Sequence, residues 1–244
     1  MILVATLFIL SLSATPQTFG YSTAITSYRT LVWEIDAVPT EPFLMYWSDG
    51  GNWLAENDTH FTFGIQSLDD DIVGTLNLGN VSVLANDTEI AKDLTLGVWG
   101  THTEWWPGLI VEVTSPAVLD LNETAYAAAE RVAGNYLNGS MTSRFDNVTI
   151  GETVHQCIVF DYEQDPPGNQ VTHLAYSLTT GILIEANTTF TFGTPYELAF
   201  TFMDFVEPVD LTVDVGGFIT FAGIAGGALV AIVIVVYVKT GRSK

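Results

Sequence analysis

Four histidines, His60, His102, His155 and His173, are the side chains best suited to proton transfer or metal ligation, and they are scattered along the chain. His102-Thr103-Glu104 is the only local pair with metal-ligand residue types, and no third donor stands nearby, so a surface loop is the better reading. His155 and Cys157 share a strand face with Val159, which favours a packed, inert thiol over a reactive one. Asp69-Asp70-Asp71 lacks the alternating spacing of a calcium loop and reads as a solvated acidic turn. The sequence holds no G-x-S-x-G, no H-E-x-x-H, no phosphate-binding loop and no dinucleotide fingerprint. No catalytic, metal or cofactor residue is therefore assigned, and a hydrolase has the least support.

Two other patterns bear on contact rather than reaction. Trp105 and Trp106, adjacent before Pro107, cannot both be buried on one strand face. An exposed indole pair could stack on sugars or dip into lipid, though one ring packing under a helix and the other covering an edge is favoured. Asn-x-Ser/Thr acceptors stand at Asn57, Asn80, Asn86, Asn122, Asn138, Asn147 and Asn187. Each alone is a weak signal; their density makes an N-glycosylated surface the expectation.

These residues need a body to hold them on the correct side of a membrane. Residues 2–12, "ILVATLFILSL", followed by "SATP", resemble the apolar core and tail of a secretory signal, which we place at 1–20. That stretch has no Lys or Arg, so the free amino group or an upstream start must supply the positive charge. Residues 216–238 contain no charge, and as a helix they would reach roughly 34 Å, enough to cross a bilayer. Lys239, Arg242 and Lys244 follow at once, which places the tail 239–244 in the cytoplasm and everything before the span outside. Gly223 and Gly227 lie at the spacing that lets two helices approach, so a homodimer through this face is open. Residues 208–215 are the juxtamembrane linker and 21–207 the extracellular domain.

The first 215 residues carry 28 acidic and 4 basic side chains, a formal charge of −24. Such a surface repels phosphate backbones and anionic headgroups, which excludes nucleic acid as a partner. One cysteine excludes an intrachain disulfide, so the domain relies on its core.

That core is written in strands. Alternating runs cover 30–38, 60–68, 71–87, 107–115, 140–150, 153–164 and 195–205, with a hairpin at 173–192. The last five strands are consecutive with short connections and predict an antiparallel meander. In the hairpin, Leu178-Thr179-Thr180-Gly181 predicts a type I turn closed by a left-handed glycine. Leu174, Tyr176, Ile182, Ile184 and Ala186 fall on the apolar face, whereas Asn187 falls on the polar one, so sugar and core point opposite ways. Helices are expected at 86–94, capped by Asn86 or Asp87, and at 122–137, where Ala125, Ala128, Ala129, Val132 and Tyr136 form a stripe. The expected fold is α+β: a curved, mainly antiparallel sheet, half-barrel or meander, covered by one or two helices, plus the C-terminal span.

Residues 140–205, chiefly "LAYSLTTGILIEANTTF", resemble the half-barrel of the Lol-type lipoprotein carriers, whose hairpin has the pattern Y-D-x-x-T-G-x-L; Ser177 stands here where Asp is frequent. The segment is also similar to hairpins of uncharacterised single-pass surface proteins of archaea. The resemblance implies a sheet wrapped round helices with a hollow for acyl chains. The function expected is a membrane-anchored extracellular binding module for a lipid or other apolar ligand. A structural or adhesion component of the envelope, partnered by envelope proteins, is the alternative.

Overall fold

The computed structural model describes residues 20–39, 43–44, 52–69, 71–95, 107–132, 138–191, 193 and 195–206. The expected signal segment up to residue 19, the linker, the membrane span and the tail lie outside them, as do Trp105, Trp106, His102, Glu104, Gly223 and Gly227. Among the described residues no helix is long and apolar enough to cross a membrane.

The strands are β1 (Thr30–Ala37), β2 (Phe43–Leu44), β3 (Asn52–Trp53), β4 (Thr59–Leu68), β5 (Ile72–Leu78), β6 (Val81–Asn86), β7 (Gly139–Ile150), β8 (Thr153–Gln164), β9 (Val171–Ser177), β10 (Leu183–Phe190) and β11 (Tyr196–Val206). Nine of them form one open antiparallel sheet in the order β6-β5-β4-β1-β11-β10-β9-β8-β7, while β2 and β3 pair separately. The expected meander is present as β7 to β11. Two helices, α1 (Asp87–Leu94) and α2 (Ser115–Val132), complete an α+β fold. Cα atoms of β7 and β11 approach within 8 Å although three strands lie between them.

Period-two alternation decides which side of the sheet is dry. Leu31, Trp33 and Ile35 of β1, Phe61, Phe63 and Ile65 of β4, and Leu198, Phe200 and Phe202 of β11 are all buried on one face. Their rings lock the middle of the sheet: Trp33 stacks on Phe61 at 5.1 Å and meets Phe202 edge-on at 5.8 Å, and Phe61 meets Phe200 edge-on at 5.1 Å. The indole N–H of Trp33 is not wasted in this apolar setting; it donates to the Leu183 carbonyl at 2.8 Å.

Helix α1 opens on Asn86, whose Oδ1 accepts from the Thr88 N–H at 2.8 Å. It buries Ile90, Ala91 and Leu94. Its last carbonyls would be orphaned beside the core, and sheet hydroxyls satisfy them: Tyr196 donates to Leu94 O at 2.8 Å and Thr188 to Thr95 O at 3.0 Å. Helix α2, Ser115–Val132, begins seven residues before the 122 that the alanine stripe predicted, while the expected last turn, 133–137 with Tyr136, lies outside the described residues. Pro116 sits in its first turn and the Thr114 hydroxyl accepts from the Ala117 N–H at 3.4 Å, a start signal hidden inside a run that reads as strand. Ala125, Ala128 and Ala129 are buried, as the stripe requires.

Two further differences from the sequence reading have local causes. The 71–87 run is two strands, because Gly79, at φ 54°, turns the chain between Leu78 and Val81. The 107–115 run keeps only one bridge, Ile110 to Ile182; Val111 N–H goes to Gly181 O at 2.8 Å and Val113 N–H to Gly20 O at 2.9 Å. At the 177–182 turn Gly181 has φ 78°, as expected. Ser177 closes the turn with its side chain, its Oγ accepting from Thr179 N–H at 3.2 Å and Thr180 N–H at 3.1 Å.

Candidate functional site

The uncovered face of the sheet is polar because the same alternation that buries one side exposes the other. Cross-strand register sets His60 beside Glu34, Glu34 beside Thr201 and Thr201 beside Glu185. Asp36, at a register shift between β1 and β11, joins this group. Burial raises its carboxyl above the ordinary value; the hydrogen bond with Thr201 opposes that, and the neighbouring Glu34, Glu185 and Asp58 charges reinforce it.

Farther along the same face, register aligns Asp161 of β8, His173 of β9 and Asn187 of β10 in one row. Asp161 bridges an imidazole and a guanidinium. Its Oδ1 lies 2.6 Å from His173 Nδ1, and its Oδ2 takes the Arg144 guanidinium, whose Nε also reaches Asp146 at 3.3 Å. Partial burial pushes the Asp161 carboxyl up, but the His173 and Arg144 hydrogen bonds and charges outweigh it and hold the group below the usual carboxylate range. A carboxylate on Nδ1 fixes the imidazole ring and leaves Nε2 as its remaining polar atom. That geometry suits hydrogen bonding to a polar partner. Ser177 and Cys157 are both otherwise engaged: Ser177 Oγ accepts within its turn, and Cys157 Sγ is directed to the His155 carbonyl at 3.6 Å. Cys157 is buried, and burial pushes its thiol up to about 11. Among the described residues no group of three His, Cys, Asp or Glu is placed to hold a metal.

The covered face has a different feature. A groove of about 470 Å³ runs between the start of α2 and the 108–114 segment, with Tyr21, Glu112, Asp120, Leu121 and Thr124 on its walls. Behind it lies Asp87, the first residue of α1 and only 2% exposed. Its Oδ2 accepts from Ile110 N–H at 3.2 Å, and a Cβ on Gly108 would collide with its carboxylate. Burial pushes this carboxyl up to about 7 against the pull of its backbone hydrogen bonds. Asn86, rather than Asp87, is the helix cap; Asp87 instead latches the 108–110 segment to the helix. Ile90, Ala91, Leu94, Leu109, Ile110, Ala125 and Ala128 fill the space above the sheet with buried side chains.

All seven glycosylation acceptors fall within the described residues, and none is buried. Asn57, Asn80, Asn147 and Asn187 are exposed, and Asn86, Asn122 and Asn138 half-buried. Asn122 Oδ1 accepts from the Ser143 hydroxyl, and Asn138 Nδ2 donates to Asp165. The carboxylate–imidazole–guanidinium cluster escaped the sequence reading because its members sit on three strands; alternation shows which face each occupies, but only register brings them together. Comparison with protein families, curated proteins and solved structures found no match.

Proposed function

We propose that the chain is a single-pass, membrane-anchored, N-glycosylated extracellular binding module. The observation that carries this reading is that every one of the seven Asn-x-Ser/Thr acceptors is exposed or half-buried in the fold, including Asn86 and Asn187, whose chain neighbours on both sides are buried. The uncharged 216–238 stretch with three cations behind it supplies the anchor. Curvature of the kind found in a half-barrel is supported by the approach of β7 to β11.

With the dry face filled by α1, the 107–111 segment and α2, the surfaces left for a partner are the open face around His173 and the groove beside α2. Alkaline carbonate extraction of membranes and protease treatment of whole cells test the anchor and its orientation. The body should be trimmed from outside and the protein should stay with the membrane. Removal of acceptors one at a time should raise electrophoretic mobility stepwise. A protein that washes off, resists external protease and shows no mobility change overturns the reading.

A second reading, an envelope or adhesion component without a small ligand, is favoured by the place of Asn187. It lies next to His173 in the middle of the polar face, where a sugar crowds small ligands but not an extended protein contact. Cross-linking on intact cells separates the two, since an envelope component should be captured mainly in assemblies.

A further inference from the structure

The two outermost strands of the sheet are β6 and β7, and an edge strand offers unpaired backbone groups to any other extended chain. Strand β7 carries its own protection. Tyr126 of α2 accepts from the Ser143 N–H at 3.0 Å, Asp146 accepts from the Asn147 N–H at 2.8 Å, and Arg144 and Asp146 place charge on the strand. Among the described residues strand β6 has none of these devices. Its sequence, "VSVLAN", contains no charge and no proline, and its only strand partner among the described residues, β5, is equally uncharged. Leu84 is 60% exposed, and Val81 and Val83 are half-buried. A short, uncharged, apolar, β-prone edge is the kind of segment that pairs with a copy of itself. The acidic body around it supplies only diffuse repulsion, which salt screens.

What β6 does have is an acceptor at each end. Asn80-Val81-Ser82 begins in the turn that leads into the strand, and Asn86-Asp87-Thr88 begins at its last residue. An extended strand of six residues spans roughly 20 Å, so both ends are close to any chain that would lie along it. Asn138 and Asn147 bracket the other edge in the same way, one residue before β7 and within it. Four of the seven acceptors thus belong to the two edges of one sheet.

We propose that N-glycans at Asn80 and Asn86 are the guards of the β6 edge, holding off strand pairing with a second copy of this chain. The inference rests on the glycosylated reading above and adds a task for two particular sites. The mechanism is steric. A pairing strand must lie about 4.8 Å from β6 along its length, and a bulky sugar at either end blocks that approach. A membrane anchor makes the guard useful, because copies displayed on one surface share an orientation and a high local concentration.

The experiment uses the full chain, made in a host that attaches N-glycans and extracted in detergent. Ser82→Ala and Thr88→Ala together remove both acceptors without touching the turn or the Asn86 cap. The double variant should gain electrophoretic mobility and at least double its protein mass by light scattering, relative to the parent. Adding Leu84→Lys should return it to the parent mass, because a charge on the edge replaces the sugar. Thr189→Ala, which removes the Asn187 acceptor from the sheet face, should change mobility but not assembly. Association through residues 216–238 is common to all variants and cancels in the comparison. Loss of sugar without a change in mass, or assembly that survives Leu84→Lys, overturns the proposal. Mobility shifts at other acceptors but none at these two overturn it and leave the glycosylated reading standing; no shift at any acceptor overturns both.

Discussion

The phenol of Tyr176 donates to the carbonyl of Gly108 at 3.0 Å, tying β9 to the segment that carries the chain from α1 toward α2. Both groups are buried, so neither has water as a substitute. Tyr176→Phe should remove the bond, keep the ring and leave the Gly108 carbonyl unsatisfied, at a cost of about 1–3 kcal/mol. Urea unfolding of the protein measures it, and an unchanged midpoint would show that the segment is held by other contacts.

Asp87 makes stability depend on pH in the direction opposite to most carboxylates. Its folded pKa of about 7 lies above the ordinary value, so the folded chain keeps a proton that the unfolded chain releases. The contribution is fully present below roughly pH 4 and is lost as pH rises toward 7, with a slope of at most about 1.4 kcal/mol per unit. Asp93, pushed up to about 6 chiefly by burial, adds in the same sense, while Asp161 acts in reverse. The difference between parent and Asp87→Asn, followed by thermal unfolding from pH 5 to 8, isolates the first group. The variant's profile should be flatter, and parallel profiles would refute the assignment.

Gly181 and Gly79 separate backbone strain from collision. Both have left-handed φ, 78° and 54°, but a Cβ at Gly181 would strike the Val111 carbonyl, whereas Gly79 faces open space. Gly79→Ala should cost about 1 kcal/mol, and Gly181→Ala more than twice that. Equal losses at the two sites would mean that the 107–113 segment yields freely.

Cys157 should be inert in the folded protein. Buried and with its thiol pushed up to about 11, it should react with a thiol reagent at pH 8 at least about 100-fold more slowly than in denaturant. Fast labelling of the native chain would show that β8 opens locally.

Much of this fold is legible in single strands and little of it in their arrangement. Alternation marks β1, β4 and β7 to β11 to within a residue or two, and the Thr-Thr-Gly turn predicts its own glycine conformation. The polar face of Asn187 is legible for the same reason. Alternation alone cannot foresee that Leu183 as well as Ile184 is buried, since the register shift between Leu183 and Glu185 swings both inward. Alternation does place Thr188 on the dry face beside Ala186, but it cannot foresee what satisfies a hydroxyl there, which lies 2.6 Å from that of Thr172 and also closes the end of α1. Those partners lie 16 and 93 residues away in the chain. The Asp161–His173–Arg144 cluster is hidden in the same way.

The pairing of β1 with β11 joins the first strand of the sheet to the last, in its middle. Chain order therefore runs against assembly: a nascent polypeptide can complete the four strands of one flank, β1, β4, β5 and β6, early. The seam that unites both flanks must wait for Tyr196–Val206. Until then Leu31, Trp33 and Ile35 have no neighbour on that side, and the half-built sheet presents apolar surface that a chaperone would have to shield.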